Sequence, residues 1–408
     1  ERISLIQNQL GDKQKIKLKR SLQQLEYQIM DGIHKITLTS KPTIAVLTSH
    51  QTSENIKIAD LLKSLRPYYN LASFNLKEEG LTDQKSLENL NQFDLLLVSN
   101  PKKEFTRNEK YILDQFSLNG GSQFWMLDGL NIDIESLFNS NGKTQGFPRN
   151  LNLDDYFFNY GIKIQKKILQ DLYNAPIVLA SGSKENTQYI PYPWPYYPVS
   201  KPESSSQIGK DIGPIITKFV SPIDTLSNNL LKKPILKSSK FTKSTSAFKL
   251  ISLELAGQKN KPSSFDEPDK ILGITVEGKT TSLFKNRIKP INLKNSKEDG
   301  PVKMIIFGDG NLAENQIDKG VPLSLGYDKW TNNFYSNKSL IMNSIHYLTD
   351  NNYRLSLREK TWQVAFLDEQ KIIRNIAIWK ISLLLLPLLL SLGIGWINLR
   401  IRSKHLLV

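Results

Sequence analysis

The segment near the C-terminus constrains the fold of this chain more than any other feature. Its sequence is "NIAIWKISLLLLPLLLSLGIGWINLRIRSK", and from Ile376 to Ile397 its one charged residue is Lys380. An apolar helix of this length can cross the hydrocarbon core of a bilayer, which is about 30 Å thick. We therefore predict a transmembrane helix over residues 376–398. The tail beyond it is short, so the body must lie wholly on the N-terminal side.

The residues at the ends of this segment are those expected at a membrane interface. Indole rings favour the headgroup zone, and a lysine near one end can extend its ammonium group outward. A proline inside the span is tolerated at the cost of a kink. Basic residues both precede and follow the segment, so charge alone leaves its orientation open. The predicted anchor residues are Trp379, Lys380, Pro387, Trp396, Arg400 and Arg402.

The first half of the body alternates short apolar runs with amphipathic segments. The runs "PTIAVLTSH", "FDLLLVSNP" and "SQFWMLDG" predict buried strands, while the segments after Ser53 and Thr106 predict helices capped by those residues. Such alternation is typical of a parallel sheet covered by helices on both faces. We predict an α/β fold with a doubly wound, mostly parallel, flavodoxin- or Rossmann-like sheet.

The pattern divides the chain into five parts. Regular alternation weakens after about residue 140 and returns with "PVKMIIFGDGN", a strand that leaves Asp309 at its carboxyl end, where α/β folds bind ligands. We predict an N-terminal helical segment (1–40), an α/β domain (41–350) with an irregular β-rich insertion (about 141–300), a juxtamembrane segment (351–375), the membrane helix, and a basic tail (399–408).

The stretch "YIPYPWPYYPVS" alternates four prolines with aromatic residues. Alternating prolines exclude a helix and disfavour interior strands, which predicts an extended ribbon with its rings displayed. Trp194, Tyr196 and Tyr197 could then stack on a sugar or dock a partner chain, or they could pack the ribbon onto its own domain. We keep these three residues and Asp309 as the candidate ligand or partner surface.

The stretch "GITVEGKT" at residues 273–280 matches the phosphate-loop pattern letter for letter. A phosphate loop needs a tight glycine-rich turn followed by a helix, whereas Ile274, Thr275 and Val276 favour an extended strand. Pro290 also leaves little room for a helix downstream. We therefore reject nucleotide binding here and predict a hairpin that turns at "EGK".

Composition narrows the possible functions further. The chain has no cysteine, which excludes thiol nucleophiles and disulfides, and its four histidines show no helical metal-ligand spacing, so we assign no metal and no cofactor. The net charge of +15 comes mostly from scattered lysines, without a basic cluster of the kind that binds phosphates. We therefore expect no nucleic-acid partner.

Further stretches follow one another along nearly the whole chain: "SLQQLEYQIMDGIHKIT", "NLDDYFFNYGIKI", "PWPYYP", "SPIDTL", "VEGKTTSLFKNR", "GDGNLAENQ" and "PLSLGYDKW". In this order, and with the terminal apolar helix, they resemble the ABC-transporter auxiliary family and its gliding-motility members in Bacteroidetes. The resemblance implies a periplasmic body, a helix in the inner membrane and a cytoplasmic C-terminus. It also implies a permease partner and a separate cytoplasmic ATPase, and it supplies no catalytic residues.

Such proteins usually begin with a further membrane helix and a further soluble portion, so we expect this sequence to be part of a longer chain. Three functions stay open at this point. The first is a non-enzymatic accessory subunit that holds a permease. The second is a hydrolase or a carbohydrate-active enzyme that uses two carboxylates, a pair without fixed spacing in sequence. The third is a module that binds a glycan or peptidoglycan through its aromatic residues.

The apolar segment predicts that the full-length protein stays with the membrane. Because about twenty apolar residues strongly favour the bilayer over water, we expect the protein in the pellet after lysis without detergent and ultracentrifugation. Recovery of the full-length protein in the supernatant would contradict the predicted span.

Overall fold

We describe a computed structural model of the chain, over residues 14–38, 40–78, 80–139, 142–182, 186–258, 260–349 and 373–405. The chain divides into two compact units, Glu1–Thr361 and Trp362–Val408, which we treat separately as the body and the terminal unit. Most of the predicted juxtamembrane segment, 351–375, lies outside the described residues, as do residues 1–13 of the predicted N-terminal segment.

The described residues form α-helices and short 3-10 helices. The α-helices are α1 (Gln14–Thr37), α2 (Ala59–Leu65), α3 (Asp83–Leu90), α4 (Arg107–Leu118), α5 (Ile134–Asn139), α6 (Asp154–Asn159), α7 (Asn337–Leu348) and α8 (Ile376–His405). The 3-10 helices are Leu253–Leu255 and Pro262–Ser264.

The strands of the body are β1 (Thr43–Leu47), β2 (Asn70–Phe74), β3 (Leu95–Ser99), β4 (Ser122–Met126), β5 (Leu130–Asn131), β6 (Lys143–Gln145), β7 (Phe147–Pro148), β8 (Ile162–Ile164), β9 (Lys167–Asp171), β10 (Asn174–Ser181), β11 (Gln188–Ser200), β12 (Ile215–Ile216), β13 (Ile223–Thr225), β14 (Leu231–Lys237), β15 (Thr242–Ser246), β16 (Leu250–Ser252), β17 (Ile271–Thr281), β18 (Asp299–Phe307), β19 (Ile317–Asp318), β20 (Val321–Pro322), β21 (Tyr327–Asp328) and β22 (Asn333–Phe334).

A nine-stranded sheet in the order β2-β1-β3-β4-β18-β17-β13-β8, with β14 also paired to β17, organises the body. The pairs β1–β2, β1–β3, β3–β4 and β4–β18 are parallel, and the strands beyond β18 pair antiparallel. The sheet is therefore mostly parallel along its first five strands, as the alternation of apolar runs predicted.

Helices cover both faces of this sheet. Leu97 and Val98 are neighbours in β3 and belong to different hydrophobic clusters, because successive side chains of a strand point to opposite faces. One cluster contains side chains from α3, α4 and α6, and the other contains side chains from α2 and α7. The doubly wound architecture is thus confirmed. The side chain of Trp125 is fully buried in the first cluster.

The predicted cap is confirmed for α4 and wrong for α2. Thr106 Oγ1 accepts a hydrogen bond from Glu109 N, and the Glu109 side chain accepts one from Thr106 N, which together make a capping box. Helix α2 begins only at Ala59, and its N-cap residue makes no side-chain hydrogen bond. The Ser53 hydroxyl instead donates a hydrogen bond to Glu314 Oε1 at 2.7 Å. Ser53 therefore bonds to a residue far away in sequence and not to the backbone at the start of α2.

The predicted hairpin at "EGK" is wrong. Strand β17 runs without a turn from Ile271 to Thr281, with Glu277 opposite Lys303 and Lys279 opposite Pro301 of β18. Strand β17 pairs with β14 on one side and with β18 on the other, which favours a continuous strand. Within it Gly278 adopts a φ of 138°, which glycine tolerates because it has no Cβ atom. Lys279 therefore lies in an extended strand and not in a loop that leads into a helix, as a phosphate loop requires.

The proline-rich stretch is a strand, which corrects the expectation of a free ribbon. Strand β11 pairs antiparallel with β10 along most of its length, including Pro191 opposite Val178 and Pro193 opposite Pro176. Strand β12 pairs only with Val199 and Ser200. The prolines near residues 191–195 therefore have a neighbour on one side, and missing N–H groups are tolerated at such an edge.

The terminal unit contains α8, with Pro387 inside it. Within the described residues, one helix is long and apolar enough to cross a membrane, and it covers Ile376–Arg402 with a mean hydropathy of 2.1. Trp379, Lys380, Trp396, Arg400 and Arg402 are all exposed along it. The guanidinium carbon of Arg400 lies 4.3 Å from the centre of the Trp396 ring, so the basic end of the helix also carries an indole. These features fit a membrane anchor.

The capping box predicts a measurable difference between two helix starts. Thr106→Ala removes the two hydrogen bonds of the Thr106 hydroxyl, one accepted from Glu109 N and one donated to Glu109 Oε2, at the start of a helix that is almost wholly buried. We expect the free energy of unfolding to fall by about 1–2 kcal/mol. Thr82→Ala is the matched control, since Thr82 caps α3 with a single bond to Lys85 N. Chemical denaturation in detergent measures both, and an equal or larger loss in Thr82→Ala would contradict the expectation.

Candidate functional site

Polar residues follow several of the parallel strands at the point where each strand ends. Asn100 follows β3, Asp128 lies two residues beyond β4, and Asp309 lies two residues beyond β18. Because these strands are parallel, their carboxyl ends meet at one edge of the sheet, which is where open α/β sheets bind ligands. All three side chains are nonetheless buried.

Glycines allow the segments at this edge to approach closely. A Cβ atom on Gly308 would lie 1.9 Å from the backbone oxygen of Ser221. A Cβ atom on Gly310 would lie 2.6 Å from Asn100 Oδ1 and 2.8 Å from Asp128 Oδ2. The "GDG" sequence after β18 is therefore required by packing on both sides of Asp309.

A buried ion pair holds this edge together. Arg149 Nη2 lies 3.3 Å from Asp128 Oδ2, and Asp128 Oδ1 accepts a hydrogen bond from Gly310 N at 2.6 Å. Arg149 Nη1 also donates to Asn100 Oδ1 and to the backbone oxygen of Pro101. We refer to Asn100, Asp128, Arg149, Asp309 and Gly310 as the edge network. It joins the ends of β3, β4 and β18 to the segment that follows β7.

The two carboxyl groups of the edge network differ in their partners. Burial raises the pKa of Asp128, and the Arg149 guanidinium acts against that rise. Burial and then the neighbouring Asp128 carboxylate raise the pKa of Asp309 to about 8. Asp309 Oδ2 and Oδ1 accept hydrogen bonds from the backbone N–H groups of Lys218 and Asn311, both at 2.8 Å. We infer that Asp309 holds a proton near neutral pH, whereas the Arg149 guanidinium favours the charged form of Asp128.

The edge network continues outward through Asn100. This residue adopts a φ of 50°, in the left-handed region that asparagine tolerates better than most residues. Asn100 Nδ2 donates to Asn311 Oδ1 at 3.0 Å and to Glu314 Oε1 at 3.3 Å. The buried ion pair thereby fixes the positions of two half-buried polar side chains beyond the end of β18.

These side chains line a cleft of about 480 Å3. That volume lies within the range of small-molecule pockets, roughly 300–1,000 Å3. The walls come from β10, β11 and the segment between β18 and α7, and apolar side chains make up a large part of them. The lining of the cleft includes Tyr189, Tyr197, Lys218, Asp309, Asn311, Glu314 and Trp330.

The structure separates the four residues predicted as a ligand or partner surface. Tyr197 and Asp309 line the cleft together. Trp194 is 0% exposed and Tyr196 is buried, and both pack in a hydrophobic cluster of the β-rich part. The expectation that these two rings are displayed is therefore wrong, because both pack against other apolar side chains of that cluster. A ligand contact at Tyr197 or Asp309 stays a prediction.

Sequence reasoning missed Asn100, Asp128 and Arg149 at the sheet edge, and Tyr189 and Trp330 at the cleft. The first two follow apolar runs in "SNP" and "LDG", so the strand-end rule that found Asp309 could have found them as well. The residues next to Arg149 in the sequence, "GFPRNLN", do not indicate that its side chain reaches the sheet edge. Among the described residues, no group of three or more potential metal-ligand side chains comes together.

The fold, the edge network and the apolar helix define a large α/β body in one chain with a helix that fits a membrane anchor. The model of the family described as "ABC-type uncharacterized transport system" matches residues 41–344, which cover most of the body. The chain therefore belongs to this ABC transporter auxiliary family. Membership indicates an accessory role in an ABC transport system.

Two further comparisons add little. No curated protein matches the chain. The solved structure titled "mmIFT52 N-terminal domain" is similar, with 14% sequence identity, a TM-score of 0.42, and coverage of 76% of this chain and 97% of that one. We draw no argument from this likeness.

The raised pKa of Asp309 predicts how stability depends on pH. In the folded state the pKa of Asp309 lies above its ordinary value of 3.8. Its protonation therefore contributes stability that is fully present below pH 3.8 and is lost as the pH rises through about 8. Asp309→Asn cannot titrate. We therefore expect wild-type stability to fall relative to that of the variant between pH 5 and pH 8, by up to about 1.4 kcal/mol per pH unit. Chemical denaturation at several pH values measures this slope, and parallel profiles would contradict it.

Proposed function

We propose that this chain is a membrane-anchored, non-enzymatic accessory subunit of an ABC transporter associated with gliding motility, of the GldG type in Bacteroidetes. Family membership supports the transport role. The resemblance of the ordered stretches named above supports the narrower assignment. In this proposal the body lies in the periplasm, α8 crosses the inner membrane, and the C-terminus is cytoplasmic.

The partners in this proposal are a permease in the membrane and a separate cytoplasmic ATPase that supplies the energy. The continuous strand at "GITVEGKT" agrees with an energy source on another subunit, since Lys279 is part of a paired strand. The body would act from its side of the membrane on the permease, and we assign no catalytic residue to it.

The observation that carries the proposal is the exposure of α8. Its candidate span has no buried residues in its most apolar window, and large apolar side chains point outward all around it. At roughly 25 cal/mol per Å2 of apolar surface, such a helix gains strongly from lipid or from neighbouring helices. Ser391 and Gly395 lie four residues apart, a spacing that lets another membrane helix approach closely.

The proposal predicts that a permease copurifies with the full chain. Mild detergent extraction and affinity capture, followed by mass spectrometry, should recover a polytopic permease and an ATPase. Gly395→Leu should lower that recovery severalfold without loss of membrane insertion, because the larger side chain would keep a partner helix away. Leu392→Ile is the matched control. Capture of the full chain without any permease would overturn the proposal.

A second candidate function is a periplasmic module that binds a glycan or peptidoglycan, or a carbohydrate-active enzyme. The cleft favours binding over catalysis, because its exposed aromatic rings and polar groups are of the kinds that contact sugars, while the buried Asp128 carboxylate is already occupied by Arg149 and Gly310.

A further inference from the structure

Two aromatic rings stand exposed together at the rim of the cleft. Tyr189 of β11 is 61% exposed and Trp330, after β21, is 54% exposed. Their ring centres lie 5.4 Å apart with an angle of 36° between the planes. Exposing two large rings to water is unfavourable unless something covers them, and the exposed part of each ring can receive another flat or ring-shaped group.

Trp330 is held in place by its own turn. Asp328 Oδ1 accepts a hydrogen bond from Trp330 N at 3.3 Å, and the Asp328 side chain also accepts from the Thr331 hydroxyl. Lys329 bonds to Asp318 Oδ1 at 3.1 Å and places its ammonium group 5.1 Å from the centre of the Trp330 ring. The indole is therefore presented by an ordered turn.

The floor of the cleft offers polar atoms with capacity left for a ligand. Asn311 uses Oδ1 to accept from Asn100, and within the described residues nothing accepts from its Nδ2. Glu314 uses Oε1 to accept from Ser53 and Asn100, and in the same part of the chain nothing donates to its Oε2. One donor and one acceptor thus lie on half-buried side chains whose positions are set by the edge network.

The charges around the cleft disfavour strongly anionic ligands. Glu314 and Asp328 line it beside the protonated Asp309, against the ammonium group of Lys218, which lies 5.6 Å from the centre of the Tyr197 ring. A uronate or a phosphorylated sugar would meet more acids than bases. An uncharged ring with hydroxyl groups would meet stacking faces, a donor and an acceptor.

We propose that this cleft binds an uncharged saccharide, with one pyranose ring stacked on Tyr189 and Trp330 and its hydroxyl groups bonded to Asn311 and Glu314. The apolar C–H face of a pyranose packs on aromatic rings, and its hydroxyl groups both donate and accept. The ion pair of Asp128 with Arg149 contributes by fixing Asn100, which holds both floor residues. The site goes beyond the accessory role and does not depend on it.

The test is a titration of the full chain with neutral trisaccharides. Maltotriose, cellotriose and N-acetylchitotriose are added to the protein in a detergent without a sugar headgroup, and binding is followed by calorimetry. We expect at least one to bind and both Trp330→Ala and Tyr189→Ala to weaken that binding at least tenfold. Asn311→Ala should weaken it severalfold. Both aromatic variants alter exposed side chains, and unchanged melting temperatures confirm that they fold.

Tyr173→Ala provides a matched control. Tyr173 is 60% exposed and lies against Phe241 at 6.4 Å with an angle of 37°, so it forms a similar exposed pair outside the cleft. Its substitution should leave binding unchanged. The proposal is overturned if no trisaccharide binds at millimolar concentration, or if binding is equal in wild type and both aromatic variants. Loss of permease copurification in those variants without saccharide binding would also overturn it and would assign the rings to a protein contact.

Discussion

The buried ion pair between Arg149 and Asp128 is the interaction on which the arrangement at the sheet edge depends. Arg149 comes from the segment after β7, whereas Asp128 and Asn100 follow strands of the central sheet, so the pair fastens the β-rich part to the parallel strands. A buried charge is costly unless it is paired and hydrogen-bonded, and here both ions have further partners. Loss of one partner would leave a carboxylate or a guanidinium uncompensated in the interior.

Local patterns predicted the parallel part of the fold because β1, β3 and β4 are buried on both faces. Such strands are rich in apolar residues, as in "LLLVS". The amphipathic helix after each one runs back along the sheet, so that the next strand is parallel to the one before. The antiparallel part was harder. Gly278 resembles a turn residue, yet β17 passes through it because β14 and β18 supply backbone partners that lie far away in sequence. Ser53 failed as a cap for the same reason, since Glu314 offered a better partner.

The candidate site was only partly accessible from the sequence. Asp309 was found because strand ends in α/β folds follow a simple rule, and Tyr197 was found through its aromatic neighbours. Arg149 and the pairing of Tyr189 with Trp330 depend on tertiary contacts between distant segments, which no local pattern encodes. The burial of Trp194 depends on its packing against Tyr196 and the other side chains of a hydrophobic cluster in the β-rich part, which no local pattern specifies.

The close contact of Gly308 with the Ser221 backbone has a consequence for how this protein can diversify. Because a side chain at position 308 would collide with the Ser221 backbone, glycine must be kept there when other residues of the sequence change. The rim residues Tyr189 and Trp330 are exposed, and exposed positions tolerate substitution more readily. Related transporters could therefore acquire new recognition properties through positions such as 189 and 330, while the scaffold beneath them is inherited unchanged.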